Sequence, residues 1–278
     1  MCKFVQLVDK KNNMWYKITM ENKIQMIITD LDRSLLSNER IITKYTKNIL
    51  EECIKRGIIL VFATARPFRA TKIFYDKILP HAVICHNGAV VFINKEQIYQ
   101  CGIKTSIVKE FLTNIIKNNP NTNLAIECED TLYTNFDPEI YWSDVVYKNI
   151  EIENLPEKNI DKIIIGLETL KNIDQIKKYL SDDLYFEISK GKVGLVMNKN
   201  ATKWNAIKIL LEYYKIGKEN SIAFGDDYND IEMIENCGIG VSVENGIEEI
   251  KAKAKYICGK NNEDGIAKWI EENILKQN

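Results

Sequence analysis

The sequence predicts an α/β fold, a parallel sheet crossed by helices with a second module inserted into it, and three observations carry that prediction. Short apolar runs alternate with segments of helical periodicity from Ile24 to Ala89, and the same rhythm resumes near Val193. Between them, residues 90–190 read as a run of strands broken by only two helices, the pattern of an antiparallel α+β module. At 278 residues, the chain is long for one compact core and suits a main domain plus a smaller one.

The first 19 residues match no core element and read as an N-terminal extension, with Met20 opening the core. Ile24 to Thr29 is a buried strand. Ile42, Tyr45, Ile49, Leu50, Cys53 and Ile54 recur at helical spacing, and Gly57 follows where a helix-ending glycine belongs. A second buried strand, Ile58 to Ala63, runs into Thr64-Ala65-Arg66-Pro67, with Pro67 suited to the first turn of a helix. A third, Ala82 to Cys85, breaks at His86-Asn87-Gly88-Ala89.

The inserted module opens with a hairpin, Val90–Ile93 and Gln97–Cys101, followed by a helix with Val108, Phe111, Leu112, Ile115 and Ile116 on one face. Strands are expected at 123–128, 131–135, 162–167 and 184–189, with a loop around Asp137-Pro138 and a helix over 172–180. The core then returns with a helix from Thr202 to Tyr214 and a strand, Ser221 to Phe224, ending in Gly225-Asp226-Asp227-Tyr228-Asn229-Asp230. Strands near 239–243 and 256–258 and helices to Asn236, near 247–252 and at the C-terminus complete the alternation.

Composition narrows the function. A net charge of -1 gives no electrostatic case for nucleic acid or an anionic membrane. No apolar stretch reaches the roughly 20 residues of a membrane span, and the N-terminus carries no apolar signal segment. Seven cysteines, scattered and without a C-x-x-C pair, read as reduced core thiols, so a cytoplasmic protein is expected. A monomer is expected, with a dimer as the alternative.

The chemistry concentrates at strand ends, where open α/β sheets bind ligands. Asp30 and Asp32, at i and i+2 after the first strand, project to one side, and such a pair is unfavourable without a cation or a shared proton. Taken alone, an Asp-x-Asp there is commonly turn chemistry. The later segments change the balance, because Thr64, Lys203 and Asp226 to Asp230 each fall at a strand or helix end, in the order phosphoryl transfer to a carboxylate would need. Asp30 can attack phosphorus and Asp32 can protonate the leaving alkoxide and later take a proton from water. Mg²⁺ is expected to bridge Asp30, the backbone carbonyl of Asp32 and Asp226, since the chain has only two histidines, His81 and His86, and no thiol cluster for a softer metal. Thr64, Lys203 and Asn229 are expected to hold the phosphoryl oxygens, with Asp230 orienting the metal's waters or Lys203.

At these residues the chain resembles the haloacid dehalogenase-like hydrolase superfamily, in its Cof-like (type IIB) sugar-phosphatase branch. Ile27 to Leu36, I-I-T-D-L-D-R-S-L-L, is similar to the family's hhhh-D-x-D-G-T-L, Thr64-Ala65-Arg66-Pro67 to its T-G-R-P, and Asn87-Gly88-Ala89 to its N-G-A. Thr202 to Ile207 is similar to s-K-g-x-A-L, and G-D-x-x-N-D is intact. The resemblance spans residue 24 to the C-terminus. It implies a Rossmann-like doubly wound core over residues 20–89 and 191–278 and an α/β cap over 90–190 that selects a small phosphorylated metabolite. Glu127, Glu129, Tyr133, Tyr141, Trp142 and Lys192 are the cap residues singled out as facing either substrate or solvent.

Arg33-Ser34 replaces the family's Gly-Thr, so Arg33 must take a turn that glycine would relax, unless it reaches an anionic substrate group. A phosphomutase, a non-catalytic sugar-phosphate binder and a receiver-like module are the alternatives. The last lacks a cap, and a dinucleotide-binding enzyme lacks support because no G-x-G-x-x-G follows the first strand.

Overall fold

The computed structural model describes residues 5–9, 14–18, 23–143, 145–170, 172–189 and 191–276, the first two segments as backbone. Strands β1 (Val5–Asp9) and β2 (Met14–Ile18) pair antiparallel as a two-stranded sheet of their own. Met20, the expected start of the core, lies outside the described residues. Strand β3 (Met26–Thr29) is buried throughout, as its apolar run requires. Helix α1 (Lys44–Lys55) starts where Thr43 Oγ1 accepts the Thr46 N–H at 3.0 Å. It buries Ile49, Leu50 and Cys53 and ends at Gly57, φ +80°, whose N–H donates to the Ile54 carbonyl at 2.9 Å.

Strand β4 (Ile59–Ala63) is followed by a run of tight 3₁₀ turns, Phe68–Phe74, where an α-helix is expected from Pro67. Next come β5 (Ala82–Cys85), β6 (Val90–Ile93) and β7 (Glu96–Gln100). Asn94 and Lys95 join β6 to β7 with φ of 49° and 70°, the positive pair that a two-residue hairpin loop demands. Helix α2 (Thr105–Asn118) precedes β8 (Leu124–Cys128), β9 (Thr131–Thr134) and β10 (Tyr147–Asn149). Strand β11 (Lys162–Gly166), helix α3 (Asp174–Tyr179), β12 (Leu184–Ser189) and β13 (Val193–Asn198) follow. The chain then alternates α4 (Lys203–Tyr214), β14 (Ser221–Gly225), α5 (Ile231–Asn236), β15 (Ile239–Val243), α6 (Glu248–Lys253), β16 (Tyr256–Cys258) and α7 (Gly265–Ile270).

The chain divides into two compact units, one of Met1–Ala63, Ile73–Ala82 and Ile207–Asn278, the other of Thr64–Lys72 and Val83–Ala206. In the first, parallel strands run in the order β16-β15-β14-β3-β4. β3 has β4, its successor, on one side and β14, from far along the chain, on the other, so the connections diverge from β3 and open a crevice at its C-terminal end. Phe224 on β14 packs edge-on against Trp269 of α7, ring centroids 5.6 Å apart.

In the second unit, six strands run β10-β9-β8-β11-β13-β12, antiparallel except for β10 against β9. Its core packs Val108, Phe111, Leu112 and Ile115 of α2 against Ile126, Ile163, Ile165 and Val196. β10 falls between the strands expected at 131–135 and 162–167, where no strand is expected. β13, where the α/β rhythm was expected to resume, is instead antiparallel to β11 and β12. No helix among the described residues is long and apolar enough to cross a membrane. The six described cysteines are free, and burial pushes the thiols of Cys53 and Cys258 up to about 12, which leaves them inert.

Candidate active site

The site is built first from the crevice of the parallel sheet. β3 ends as the Asp30 N–H donates to the Phe224 carbonyl of β14 at 2.9 Å, which puts Asp30 and Asp226 at the ends of neighbouring strands. The chain then makes one wide turn, with Leu35 N–H donating to the Asp30 carbonyl at 3.3 Å and Leu36 N–H to the Leu31 carbonyl at 2.8 Å. Asp32 and Arg33 sit inside that turn, Asp32 half-buried and Arg33 exposed. Arg33 has φ 64° and ψ 3°, the left-handed conformation for which glycine is the usual residue. Asn245 holds it there, its Nδ2 donating to the Arg33 carbonyl at 2.7 Å and its own Oδ1 accepting from Asn261 N–H at 2.9 Å.

At the end of β14, one Asp230 oxygen accepts the N–H groups of Asp226 and Asp227, at 3.0 and 3.3 Å. Gly225 is required for this return, because a Cβ there would stand 2.5 Å from Asp230 Cβ. Ser34 Oγ donates to Asp226 Oδ1 at 2.9 Å, so the hydroxyl beside Arg33 orients the second carboxylate. Asp30, Asp226 and Asp230, 6%, 3% and 0% exposed, each place a carboxylate oxygen within 4.8 Å of the others. At that spacing each pair repels by roughly 3 kcal/mol at an effective dielectric of 20. The donors are all carboxylate oxygens, the set that suits a hard divalent cation, and the cluster therefore fits such an ion. Asp32 is not one of the three, and Asn229 lies half-buried in the turn between Asp226 and Asp230.

The second unit carries the other expected residues. Thr64 is buried at the start of a laced pair of loops. Its N–H donates to the Ile84 carbonyl at 2.8 Å, its carbonyl accepts from Asn87 N–H at 3.1 Å, and its Oγ1 accepts from Arg66 N–H at 3.2 Å. Gly88, at φ +108°, approaches the Thr202 carbonyl so closely that a Cβ would overlap it, which seats the Asn87-Gly88 turn against the start of α4. Lys203 opens that helix and is 1% exposed.

Close by in the same unit lies an ion network that the sequence does not announce. Arg69 grips Glu127 through two bonds of 2.8 and 2.9 Å, and its backbone N–H donates to Asp130 Oδ1 at 2.7 Å. Lys162, which faces Glu127 across β11 and β8, donates to the Ala65 carbonyl at 3.2 Å. Burial holds its amine below the usual lysine range. Burial, and then the positive charges of Lys162 and Arg69, keep His86 well below its ordinary pKa and neutral. Burial also pushes Asp161 up to about 6, against a 2.6 Å hydrogen bond from Gln100 that lowers it.

Of the residues singled out in the inserted module, Glu127 is therefore buried in an ion pair. Glu129 is exposed beside Lys158, and Lys192 is exposed. Tyr141 bonds to Glu168 and stands between Phe136 and Trp142, and Lys148 lies over the Tyr133 ring. Asn245 and Arg69 escape sequence reasoning. Each acts through a partner distant in the chain, and no local pattern marks either.

Comparison with known proteins adds the following. The model of a family described as haloacid dehalogenase-like hydrolase matches residues 27–270. The 5-amino-6-(5-phospho-D-ribitylamino)uracil phosphatase YitU of Bacillus subtilis is 27% identical over 275 residues, covering 91% of this chain and 98% of its own. The crystal structure of TM0651 from Thermotoga maritima matches with a TM-score of 0.81 at 25% identity, over 89% of this chain and 97% of that one. The subclass IIB sugar phosphatase BT4131 shares the fold, with a TM-score of 0.75 at 24% identity over 89% and 98% of the two chains.

Proposed function

The chain belongs to the haloacid dehalogenase-like hydrolase family, as a phosphoric monoester hydrolase of its Cof-like branch, and on that premise we propose a Mg²⁺-dependent phosphatase of small metabolites that works through an aspartyl phosphate. The observation that carries this reading is the buried trio Asp30, Asp226 and Asp230 at the strand ends of the crevice. Three carboxylates so close fit a site that takes up a divalent cation and a phosphate dianion together.

In the proposed reaction an Asp30 oxygen bonds to phosphorus as the bond from phosphorus to the leaving alkoxide breaks, and Asp32 gives its proton to that alkoxide. Asp32 then takes a proton from water as the water oxygen attacks the phosphoryl group. The bond to Asp30 breaks, and inorganic phosphate departs. Thr64, Lys203 and Asn229 are assigned to the phosphoryl oxygens. Lys203 contributes positive charge and the other two contribute hydrogen bonds. Mg²⁺, held by Asp30, the Asp32 backbone carbonyl and Asp226 with Asp230 behind them, would neutralise the dianion's charge.

Residues 90–190 act in this proposal as the cap that selects the metabolite, with 20–89 and 191–278 as the core, in a cytoplasmic monomer. The named activity of the Bacillus subtilis relative makes phosphorylated polyols, free or carrying an aminouracil, the first compounds to try beside sugar phosphates. Purified protein with Mg²⁺ should release phosphate from members of such a panel, and chelation should abolish release. Full turnover in excess chelator would sink the metal assignment, and silence on every compound would sink the catalytic one.

A further inference from the structure

Arg33 occupies a position where glycine would be relaxed, and its contacts indicate what the arginine does there. Its Nε stands 3.8 Å from Asp226 Oδ2, while Ser34 Oγ donates to the other oxygen, Oδ1, at 2.9 Å. Its Nη2 reaches the Asn245 carbonyl at 3.4 Å, and Asn245 in turn donates to the Arg33 carbonyl at 2.7 Å. The left-handed backbone at φ 64°, disfavoured for a long side chain, is thus pinned so that the guanidinium lies along the outer edge of a buried carboxylate. Arg33 itself is 58% exposed against 4% for Asp226, so the positive charge sits at the mouth of the acidic trio.

We propose that Arg33 is a positioning residue that serves as a resident counter-charge to Asp226 and competes with the divalent cation for it. The inference rests on the metal reading above. It adds a property of this chain, a built-in rival that raises the cation concentration needed to fill the site. An anionic group on Arg33 would weaken the rivalry, since the guanidinium cannot face two anions along the same edge as fully as one.

The geometry sets the size of the effect. A solvent-exposed ion pair of this kind is a modest interaction, so removing Arg33 should tighten Mg²⁺ binding by about two- to fivefold. Mg²⁺ titration followed by calorimetry and by thermal unfolding, with no substrate present, reads this directly. Arg33→Gly restores the residue that suits the turn, and Arg33→Asn, which tolerates the same backbone, guards against an effect of glycine alone. Both should bind Mg²⁺ more tightly than the natural protein. Arg33→Lys, which keeps a positive charge, should bind close to the natural affinity. A purely structural role would make the glycine variant more stable with and without Mg²⁺ and leave the affinity unchanged, and that result would overturn the inference. Weaker binding in both neutral variants would overturn it too, by showing that Arg33 helps the cation. If the natural protein and every variant failed to bind Mg²⁺, the metal reading would fall and the inference with it, an outcome distinct from equal binding by all.

Discussion

Two groups of acidic side chains among the described residues are built differently, one around an ion pair and the other from like charges. In the second unit, the Arg69 guanidinium meets Glu127 at 2.8 Å and stands 3.7 Å from Asp130, with Lys72 3.4 Å from Asp130 and Lys162 facing Glu127 across the sheet. In the first unit, three buried carboxylates converge on one another, and their contacts include a hydroxyl from Ser34, two backbone N–H groups and, at 3.8 Å, the exposed Arg33. Glu127 has its charge matched within the fold by a guanidinium at bonding distance. Three carboxylates gathered within 4.8 Å of one another repel, so the cluster suits a cation that binds there. The same residue type should therefore respond to substitution in different currencies, turnover in one unit and stability in the other.

The largest test is Asp30→Asn. It keeps size and hydrogen bonding but removes the charge of the proposed nucleophile, so turnover should fall by at least about a thousandfold while the fold persists. Circular dichroism beside steady-state rates checks both halves. A variant retaining most of its rate would break the comparison at its first member. Asp32→Asn should cost roughly a hundredfold or more with sugar phosphates, whose alkoxides leave poorly, and much less with p-nitrophenyl phosphate. Equal losses on the two substrates would assign Asp32 to holding the turn or the metal.

Glu127→Ala reverses the pattern. It removes the bidentate partner of Arg69, a quarter exposed, leaving it the Asp130 carboxylate at 3.7 Å, and should cost about 3 kcal/mol of the second unit's stability. The proposed Mg²⁺ binding by the trio should be unchanged at a temperature where the variant is folded. Arg69→Met combined with Glu127→Leu should recover much of the loss, since the pair is then absent rather than broken. A weakened Mg²⁺ affinity in Glu127→Ala would show that the two acid groups are not independent.

How much of this was legible depends on the range of the interaction. Asp30 and Asp32 are two residues apart, and Asp226 and Asp230 four, so spacing alone groups them and the structure brings three of the four together. The strained turn at Arg33 could also be read, because its left-handed backbone is what a glycine position implies. Asn245, 212 residues from Arg33, left no local trace. Tyr147–Asn149 is an exposed edge strand without apolar alternation, so it read as loop. Val193–Asn198 misled for the opposite reason. It is buried through most of its length, so it looks like a parallel core strand although it is antiparallel to both neighbours. Phe68–Phe74 stays in tight turns, and Arg69 there donates backbone and side chain to Asp130 and Glu127, bonds that helix propensity cannot foresee.

The smallest effect should come from Asp161, which belongs to the second group by position yet lacks a full partner. Its carboxyl is pushed from 3.8 up to about 6, first by burial and then by the charges of Glu127 and Asp130, while Gln100 and Lys162 pull the other way. A folded pKa above the unfolded one means that the neutral acid is the better-tolerated form. The associated stability is fully present below about pH 4 and is lost as pH rises through 6. At pH 7 the ionised Asp161 is therefore a cost, and Asp161→Asn should stabilise the second unit by up to about 2 kcal/mol. Gln100 can still donate to the amide oxygen. The gain should shrink towards zero as the pH falls to 4, because the natural side chain is then neutral as well. Hydrogen exchange of the β8 and β11 amides at pH 7 and at pH 4, corrected for intrinsic rates, isolates that unit from the rest of the chain. Protection that rises in the variant equally at both pH values would show that packing, rather than charge, governs Asp161. A loss of protection at pH 7 would place it among the paired acids after all.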